Sequence, residues 1–138
     1  MVTKGFEEIY ITVHLCHAHG VKEPETPVTS KLMGRAVQEM RVDRLAMEFN
    51  SQAAQALQAL ADFPTDKLLG LGVIHPSCTE VETPELVAER VQRALAFIDK
   101  ERLVLNPDCG LSARSGADRA YTKLVAMCQG AELLRQMY

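Results

Sequence analysis

Two short stretches decide the fold: LLGLGVI at residues 68–74 and TPEL at residues 83–86. The first is a continuous apolar run, which is typical of a strand buried on both faces of a parallel sheet. In the second, Thr83 is a favourable N-cap residue and Pro84 suits the first helical position, so a helix is predicted to begin there. A buried strand followed by a covering helix predicts a βα unit.

This βα pattern occurs four times along the chain. Apolar, β-branched runs predict strands at residues 9–13, 42–47, 68–74 and 103–105, with Pro107 ending the last. Helical spacing predicts helices at about 29–40, 51–61, from Thr83 onward, and 117–137. Apolar stripes predict the buried faces of the last two helices: Val87, Val91, Ala94 and Ile98 in one, and Ala120, Leu124, Met127, Ala131 and Leu134 in the other.

Four such units predict an α/β fold with a parallel sheet covered by helices. Two architectures fit: an open four-stranded sheet, or half of a (β/α)8 TIM-type barrel, because a whole barrel needs about 250 residues and the chain has 138. Residues 1–138 are predicted to form one domain, since no repeat, low-complexity tract or linker divides them. Gly70 and Gly72 inside the third strand indicate that another group packs close to the backbone.

Composition and charge exclude several classes of function. The net charge of -3 provides no basic field for nucleic acid or an anionic membrane. No apolar run approaches the roughly 20 residues needed to span a bilayer. Residues 1–8 are too acidic and too poor in apolar side chains for a signal peptide. A cytoplasmic location is therefore expected.

The chain has four cysteines, at positions 16, 78, 109 and 128. In a reducing compartment, metal binding or burial is favoured over disulfide formation. Cys128 falls in a predicted helix and is expected to be a buried apolar residue. Cys78 is expected to be an ordinary loop cysteine, whereas Cys16 and Cys109 lie at strand ends.

Metal-binding side chains follow the predicted strands: His14, Cys16, Glu48 and Cys109. In parallel sheets the C-terminal strand ends are where active sites gather. His14 and Cys16 are two residues apart and point to the same face. Glu48 follows an apolar strand, where a buried acid is costly unless it is paired or bound to metal. One imidazole, one carboxylate and two thiolates suit zinc.

This zinc hypothesis requires a curved sheet, because a flat one would hold the first and fourth strands roughly 14 Å apart. Taken singly, each residue also has an ordinary explanation: Glu48 as a salt-bridged acid and Cys109 as a packed thiol. His17 and His19 are expected to be solvated loop residues. His75 follows a strand end and is a candidate general acid or base.

The strand-end motifs resemble the C-terminal part of the cobalamin-independent methionine synthase family. They are HLC at 14–16, LAME at 45–48, GLGV at 70–73 and the highly specific ERLVLNPDCGL at 101–111, with VETPE at 81–85 in addition. The similarity covers nearly the whole chain. It implies a βα barrel with a catalytic zinc held by His14, Cys16, Glu48 and Cys109.

The resemblance also implies a reaction. In the family, zinc binds the homocysteine sulfur and favours its thiolate. The thiolate attacks a methyl group of 5-methyltetrahydrofolate, or of a methylcorrinoid protein in shorter relatives, to give methionine. Many members carry a histidine after the third strand that relays a proton to the leaving group. Ser77 stands at that position here, and His75 stands two residues earlier. Either His75 is expected to take over the proton relay, or the methyl donor is expected to differ.

Length is the larger departure from the family. The chain matches only the last four βα units, and an isolated half-barrel would expose two parallel edges. A homodimer, a partner chain or a longer protein is therefore expected to complete the barrel. Two alternative functions stay open: an alkyl-thiol transferase acting on another thiol such as coenzyme M, and a non-catalytic metal-binding half-domain. A thiol-redox role is disfavoured because the chain has no Cys-x-x-Cys pair.

Overall fold

The computed structural model describes residues 5, 8–16, 34–50, 57–111 and 116–138. Its four strands form one parallel sheet in the order β1-β2-β3-β4. The strands are β1 (Thr12–Leu15), β2 (Arg44–Met47), β3 (Leu68–Ile74) and β4 (Leu103–Pro107). The α-helices of the described ranges are α1 (Arg35–Glu39), α2 (Pro84–Ala94) and α3 (Ala117–Met137), with 3₁₀ turns at Ala59–Asp62 and Lys100–Arg102.

The predicted strands are all present, and β3 has the predicted bounds. β1 begins three residues later than the apolar pattern indicated, and Ile9 and Tyr10 are more than half exposed. The reason is that β1 can pair only where β2 begins: Thr12 is opposite Arg44, and Asp43 already receives the Ile11 N–H on its carboxylate at 2.6 Å. β-branched residues outside that overlap have no partner strand in the described chain.

The predicted helices fall partly outside the described residues. Of the helix predicted at 29–40, the described part is α1, in which Val37 is buried. Of the helix predicted at 51–61, residues 57–58 are helical and lead into the 3₁₀ turn. α2 begins as predicted, because the Thr83 hydroxyl accepts a hydrogen bond from the Leu86 N–H at 3.2 Å. Its predicted stripe is buried in the core: Val87, Val91, Ala94 and Ile98.

The predicted inner face of α3 is confirmed at Leu134, which is buried, and wrong at Leu124, which is 39% exposed. The other buried positions of the helix are Lys123, Ala126 and Gly130. Cys128 is exposed, contrary to the prediction that it would be buried. The cause is that α3 packs mainly on α2, and Gly130 permits a close approach: a Cβ there would lie 2.7 Å from Val87 and 2.8 Å from the Pro84 carbonyl oxygen.

Three residues of the predicted stripe, Met127, Ala131 and Leu134, line an open groove beside β4. This β4 groove has a volume of about 700 Å³ and is lined mainly by residues of α2, β4 and α3, among them Val91, Val104, Leu105, Met127 and Tyr138. β1 and β4 are the edge strands of the sheet formed by the described residues. Within the described residues, no helix combines the length and the apolar character that a membrane span requires.

Candidate metal centre

The first donor atoms come from the end of β1. His14 pairs in register with Ala46 of β2, and its Nδ1 lies 3.2 Å from the Ala46 carbonyl oxygen. A carbonyl oxygen can only accept, so this hydrogen bond requires the proton on Nδ1 and leaves Nε2 as the ligand atom. Cys16 follows two residues later on the same face and is exposed.

The carboxylate comes from the end of β2. Glu48 directly follows Met47, the last residue of the strand, and its side chain is fully buried. Ionised carboxylates are rarely buried to this degree unless a cation or hydrogen-bond donors compensate the loss of water. The burial of Glu48 therefore excludes a solvated strand-end acid and is consistent with a metal ligand.

The second thiol comes from the turn after β4. The Sγ atoms of Cys16 and Cys109 lie 3.5 Å apart, although 93 residues separate them along the chain. Ligand atoms of His14, Cys16, Glu48 and Cys109 all lie within 4.8 Å of one another. Zinc–sulfur bonds of about 2.3 Å in a tetrahedral site put two sulfurs about 3.8 Å apart, so the donor set and its spacing fit zinc.

Sheet curvature brings these atoms together. The first and last strands of a flat four-stranded sheet would be roughly 14 Å apart, so a sulfur–sulfur distance of 3.5 Å requires the strand ends to converge. The glycines of β3 lie between the first and last strands. Other groups pack close to their backbone, as the sequence indicated. A Cβ on Gly70 would lie 2.9 Å from Ala46 Cα and one on Gly72 2.7 Å from the Met47 carbonyl oxygen, while Asn106 and Asp108 come closer still.

Asp108 holds the backbone next to the buried carboxylate. It is fully buried, and its Oδ1 accepts hydrogen bonds from the N–H groups of Phe49 and Asn50, both at 3.1 Å. These amides directly follow Glu48. Asp108 therefore links the turn that carries Cys109 to the turn that carries Glu48, which fixes two of the candidate ligands relative to each other.

His75 lies at the same edge of the sheet but outside this group of four. It follows Ile74, whose carbonyl oxygen accepts the Asp108 N–H at 2.9 Å. Its Nδ1 accepts the N–H groups of Ser77 at 3.1 Å and Cys78 at 3.0 Å. Two N–H donors on Nδ1 require the ring proton to be on Nε2.

A buried ion pair supports the His75 loop. Glu82 Oε1 accepts the His75 backbone N–H at 2.7 Å, and Glu82 Oε2 lies 2.6 Å from Lys123 Nζ. Burial raises the pKa of the Glu82 carboxyl, but the hydrogen bonds from Lys123, from the His75 N–H and from its own backbone, together with the charge of Lys123, outweigh it, so the pKa lies below its usual value. Glu82 is thus held as a carboxylate.

Sequence reasoning missed three of these residues. The sequence did offer a signal for Asp108, because it is an acid that follows an apolar strand and stands next to a candidate ligand, Cys109. Glu82 and Lys123 gave no such signal, because charged residues in a loop and on a helix are usually solvated. His17 and His19 lie outside the described residues.

Comparisons of sequence place the chain among known proteins. A family model described as the catalytic domain of cobalamin-independent synthase matches residues 5–133. Methionine synthase of Saccharolobus islandicus is 37% identical over 98 residues, which are 71% of this chain and 29% of that protein. Methionine synthase of Thermococcus kodakarensis is 37% identical over 100 residues, with the same two coverages. The chain spans less than a third of the length of these relatives.

Comparisons of structure agree on the fold. A B12-independent methionine synthase from Shewanella sp. W3-18-1, solved in complex with selenomethionine, has a TM-score of 0.75 at 23% identity. It is matched over 98% of this chain and 41% of its own. A putative vitamin-B12 independent methionine synthase from Listeria monocytogenes has a TM-score of 0.63 at 19% identity. That match covers 96% of this chain and 37% of the Listeria chain. The predicted fold class, part of a TIM-type barrel, is confirmed, and the chain belongs to the cobalamin-independent synthase catalytic-domain family.

Proposed function

We propose that this chain is the metal-binding half of a zinc-dependent methyltransferase that converts homocysteine to methionine. The observation that carries the proposal is the convergence of one imidazole, one carboxylate and two thiols within 4.8 Å at the strand ends. Membership of the synthase family and relatives named methionine synthase support the reaction class. The Shewanella structure holds selenomethionine, the selenium analogue of the proposed product.

Within this proposal, His14, Cys16, Glu48 and Cys109 hold the zinc. When bound, zinc favours the thiolate form of a thiol substrate by lowering its pKa. The Ala46 carbonyl oxygen orients the His14 ring, and Asp108 fixes the turn after Glu48. These contacts prepare the site before substrate arrives, which is how a protein contributes to positioning a nucleophile.

We assign His75 the proton transfer to the demethylated donor. Its two loop N–H contacts place the ring proton of the neutral imidazole on Nε2. The acid is the imidazolium: Nδ1 takes up a proton from solvent in place of the two loop contacts, Nε2 gives its proton to the leaving group, and the ring is left neutral. The methyl donor in the proposal is 5-methyltetrahydrofolate or a methylcorrinoid. A general acid suits the folate, because its leaving nitrogen must be protonated.

The proposal includes completion of the barrel by a second set of strands. β1 and β4 present unpaired edges within the described sheet, and the β4 groove leaves apolar side chains of β4 and α3 uncovered. Such edges favour pairing with another chain. A homodimer is the simplest source, since two four-stranded halves give eight parallel strands; a separate partner chain is the other. A cytoplasmic location is part of the same proposal.

Zinc content tests the assignment directly. Protein purified without added chelator should carry about one zinc per site. Cys109→Ser removes one sulfur donor and should weaken zinc binding more than about tenfold, measured by competition with a chromophoric chelator. Cys128→Ser is the matched control, because Cys128 is an exposed thiol on α3 outside the cluster. Wild-type zinc affinity in Cys109→Ser would remove Cys109 from the ligand set.

Methyl transfer is measured in the same preparations, with homocysteine and each donor in turn, by mass spectrometry of methionine. His75→Asn should keep its zinc and slow the reaction by about 10²-fold or more, the usual contribution of a general acid. Zinc loss in His75→Asn would instead show that this residue belongs to the metal site. Methyl transfer to coenzyme M in place of homocysteine would change the proposed acceptor.

A further inference from the structure

A buried ion pair joins α3 to the loop that carries His75. The Lys123 side chain is fully buried, and its Nζ donates to Glu82 Oε2 and to the Glu80 carbonyl oxygen, both at 2.6 Å. Glu82 has only 6% of its side chain exposed. Burying two charges costs several kcal/mol per ion before pairing, and apolar residues often stabilise such a position as well or better. Packing alone therefore does not explain why this pair occupies the core.

The other oxygen of Glu82 holds the loop itself. Glu82 Oε1 accepts the His75 N–H at 2.7 Å, and Arg90 Nη1 of α2 lies 3.4 Å from the same oxygen. Arg90 also donates to the Val73 carbonyl oxygen of β3 at 2.5 Å. The Glu82 carboxylate thus contacts Lys123 of α3, Arg90 of α2 and the His75 N–H. Arg90 in turn links it to the end of β3.

The loop in turn fixes the imidazole. The N–H groups of Ser77 and Cys78 both point at His75 Nδ1, at 3.1 and 3.0 Å. This arrangement depends on the direction of the chain as it leaves residue 75, because Ser77 and Cys78 follow it by two and three residues. The hydrogen bond from the His75 N–H to Glu82 lies at the start of this segment.

We propose that Glu82 is a positioning residue that holds the His75 loop, so that the His75 ring keeps its proton on Nε2. Glu82 supplies the oxygen that receives the His75 N–H. Lys123 compensates the charge of this carboxylate in the core. The catalytic meaning of the tautomer rests on the proposed function, whereas the holding of the loop does not.

Nitrogen-15 NMR of the imidazole tests this inference without any activity assay. In the full chain, His75 should show an unprotonated Nδ1 and a protonated Nε2. Glu82→Ala should mix the two tautomers and speed amide hydrogen exchange at His75, Ser77 and Cys78 by about tenfold, the effect of losing one hydrogen bond. Glu132→Ala is the matched control, because its ion pair with Arg135 lies on the exposed surface of α3 and should leave both readouts unchanged.

A double variant, Glu82→Gln with Lys123→Met, separates the hydrogen bond from the charges. It keeps a side-chain oxygen for the His75 N–H and removes both buried charges, so it should retain the wild-type tautomer and slow exchange even if Glu82→Ala fails to fold. Mixed tautomers in the folded double variant, or a wild-type tautomer in folded Glu82→Ala, would overturn the inference. Zinc content is recorded in parallel: a protein without zinc but with a fixed His75 tautomer contradicts the proposed function and leaves this inference intact.

Discussion

Asp108 shows how a single side chain can set the geometry of a site to which it need not bind. Its Oδ1 receives two backbone N–H groups from the turn after Glu48, and its neighbour is Cys109. Amides buried without an acceptor are costly, and the chain direction after Glu48 would change without this carboxylate. Asp108 therefore acts on the proposed metal site through the backbone.

Asp108→Ala should lower the free energy of unfolding by about 1–3 kcal/mol, because two backbone N–H groups lose their acceptor. It should also weaken zinc binding by about 10–100-fold, as supporting residues of metal sites typically do. Asp108→Asn keeps an acceptor oxygen and should show smaller effects on both. The measurements are urea denaturation and chelator competition. Equal zinc affinity in the wild type and Asp108→Ala would show that Glu48 needs no such support.

At the scale of elements, the contact between α2 and α3 depends on one glycine. Glycine inside a helix usually costs roughly 0.5–1 kcal/mol relative to alanine. Gly130 faces Val87 and the Pro84 carbonyl oxygen so closely that any Cβ would collide with them. The close approach of the two helices compensates the poor helix propensity, and it also places Lys123 beside Glu82.

Gly130→Ala should therefore destabilise the protein by about 1–3 kcal/mol, the range for overpacked sites, although alanine has the better helix propensity. Thermal and urea unfolding measure the change. Gly110→Ala is the control, because nothing lies within 4 Å of a Cβ at that position. A more stable Gly130→Ala variant would mean that the two helices can separate at little cost.

Elements differ in how far the sequence predicts them. β3 and α2 were predictable because their signals are local: an apolar run, an N-cap and a proline at the first helical position. The first residue of β1 was not predictable from the sequence, because it depends on which residues of β2 are available for pairing. The buried face of α3 was predictable only at Leu134, since Met127 and Ala131 line the β4 groove and the buried positions include a lysine and a glycine.

The four candidate metal ligands were visible in the sequence because their residue types are specific and each lies at or just past the end of a strand. The prediction that these four residues converge depended on curvature of the sheet, which no local sequence pattern encodes. Glu82 and Lys123 were missed for a related reason: a buried pair is recognisable only once the two segments are known to meet. Whole-fold topology thus decides which polar residues are functional candidates.

For the whole molecule, the β4 groove should govern association. Apolar side chains of β4 and α3 stand open beside an unpaired strand edge, and such surfaces favour self-association. The purified chain should therefore form dimers, and Met127→Arg, which puts a charge in the groove, should shift them to monomers in light scattering. Tyr121→Arg is the control, since Tyr121 is a 71% exposed residue of α3 that does not line the groove. A wild-type monomer, or a dimer that Met127→Arg leaves intact, would contradict this role.

The sulfur–sulfur contact of 3.5 Å between Cys16 and Cys109 has a consequence for folding. A cation bound to both thiols would close a very long loop of the chain. The conformational entropy lost on closing a loop increases only slowly with loop length, so even this long loop is closed at a moderate cost. Binding energy gained there is added to the stability of the native state, since the open chain has no preformed site. Zinc in the proposed site would then stabilise the native sheet as well as serve the reaction, so a chelator should lower the unfolding temperature together with the activity.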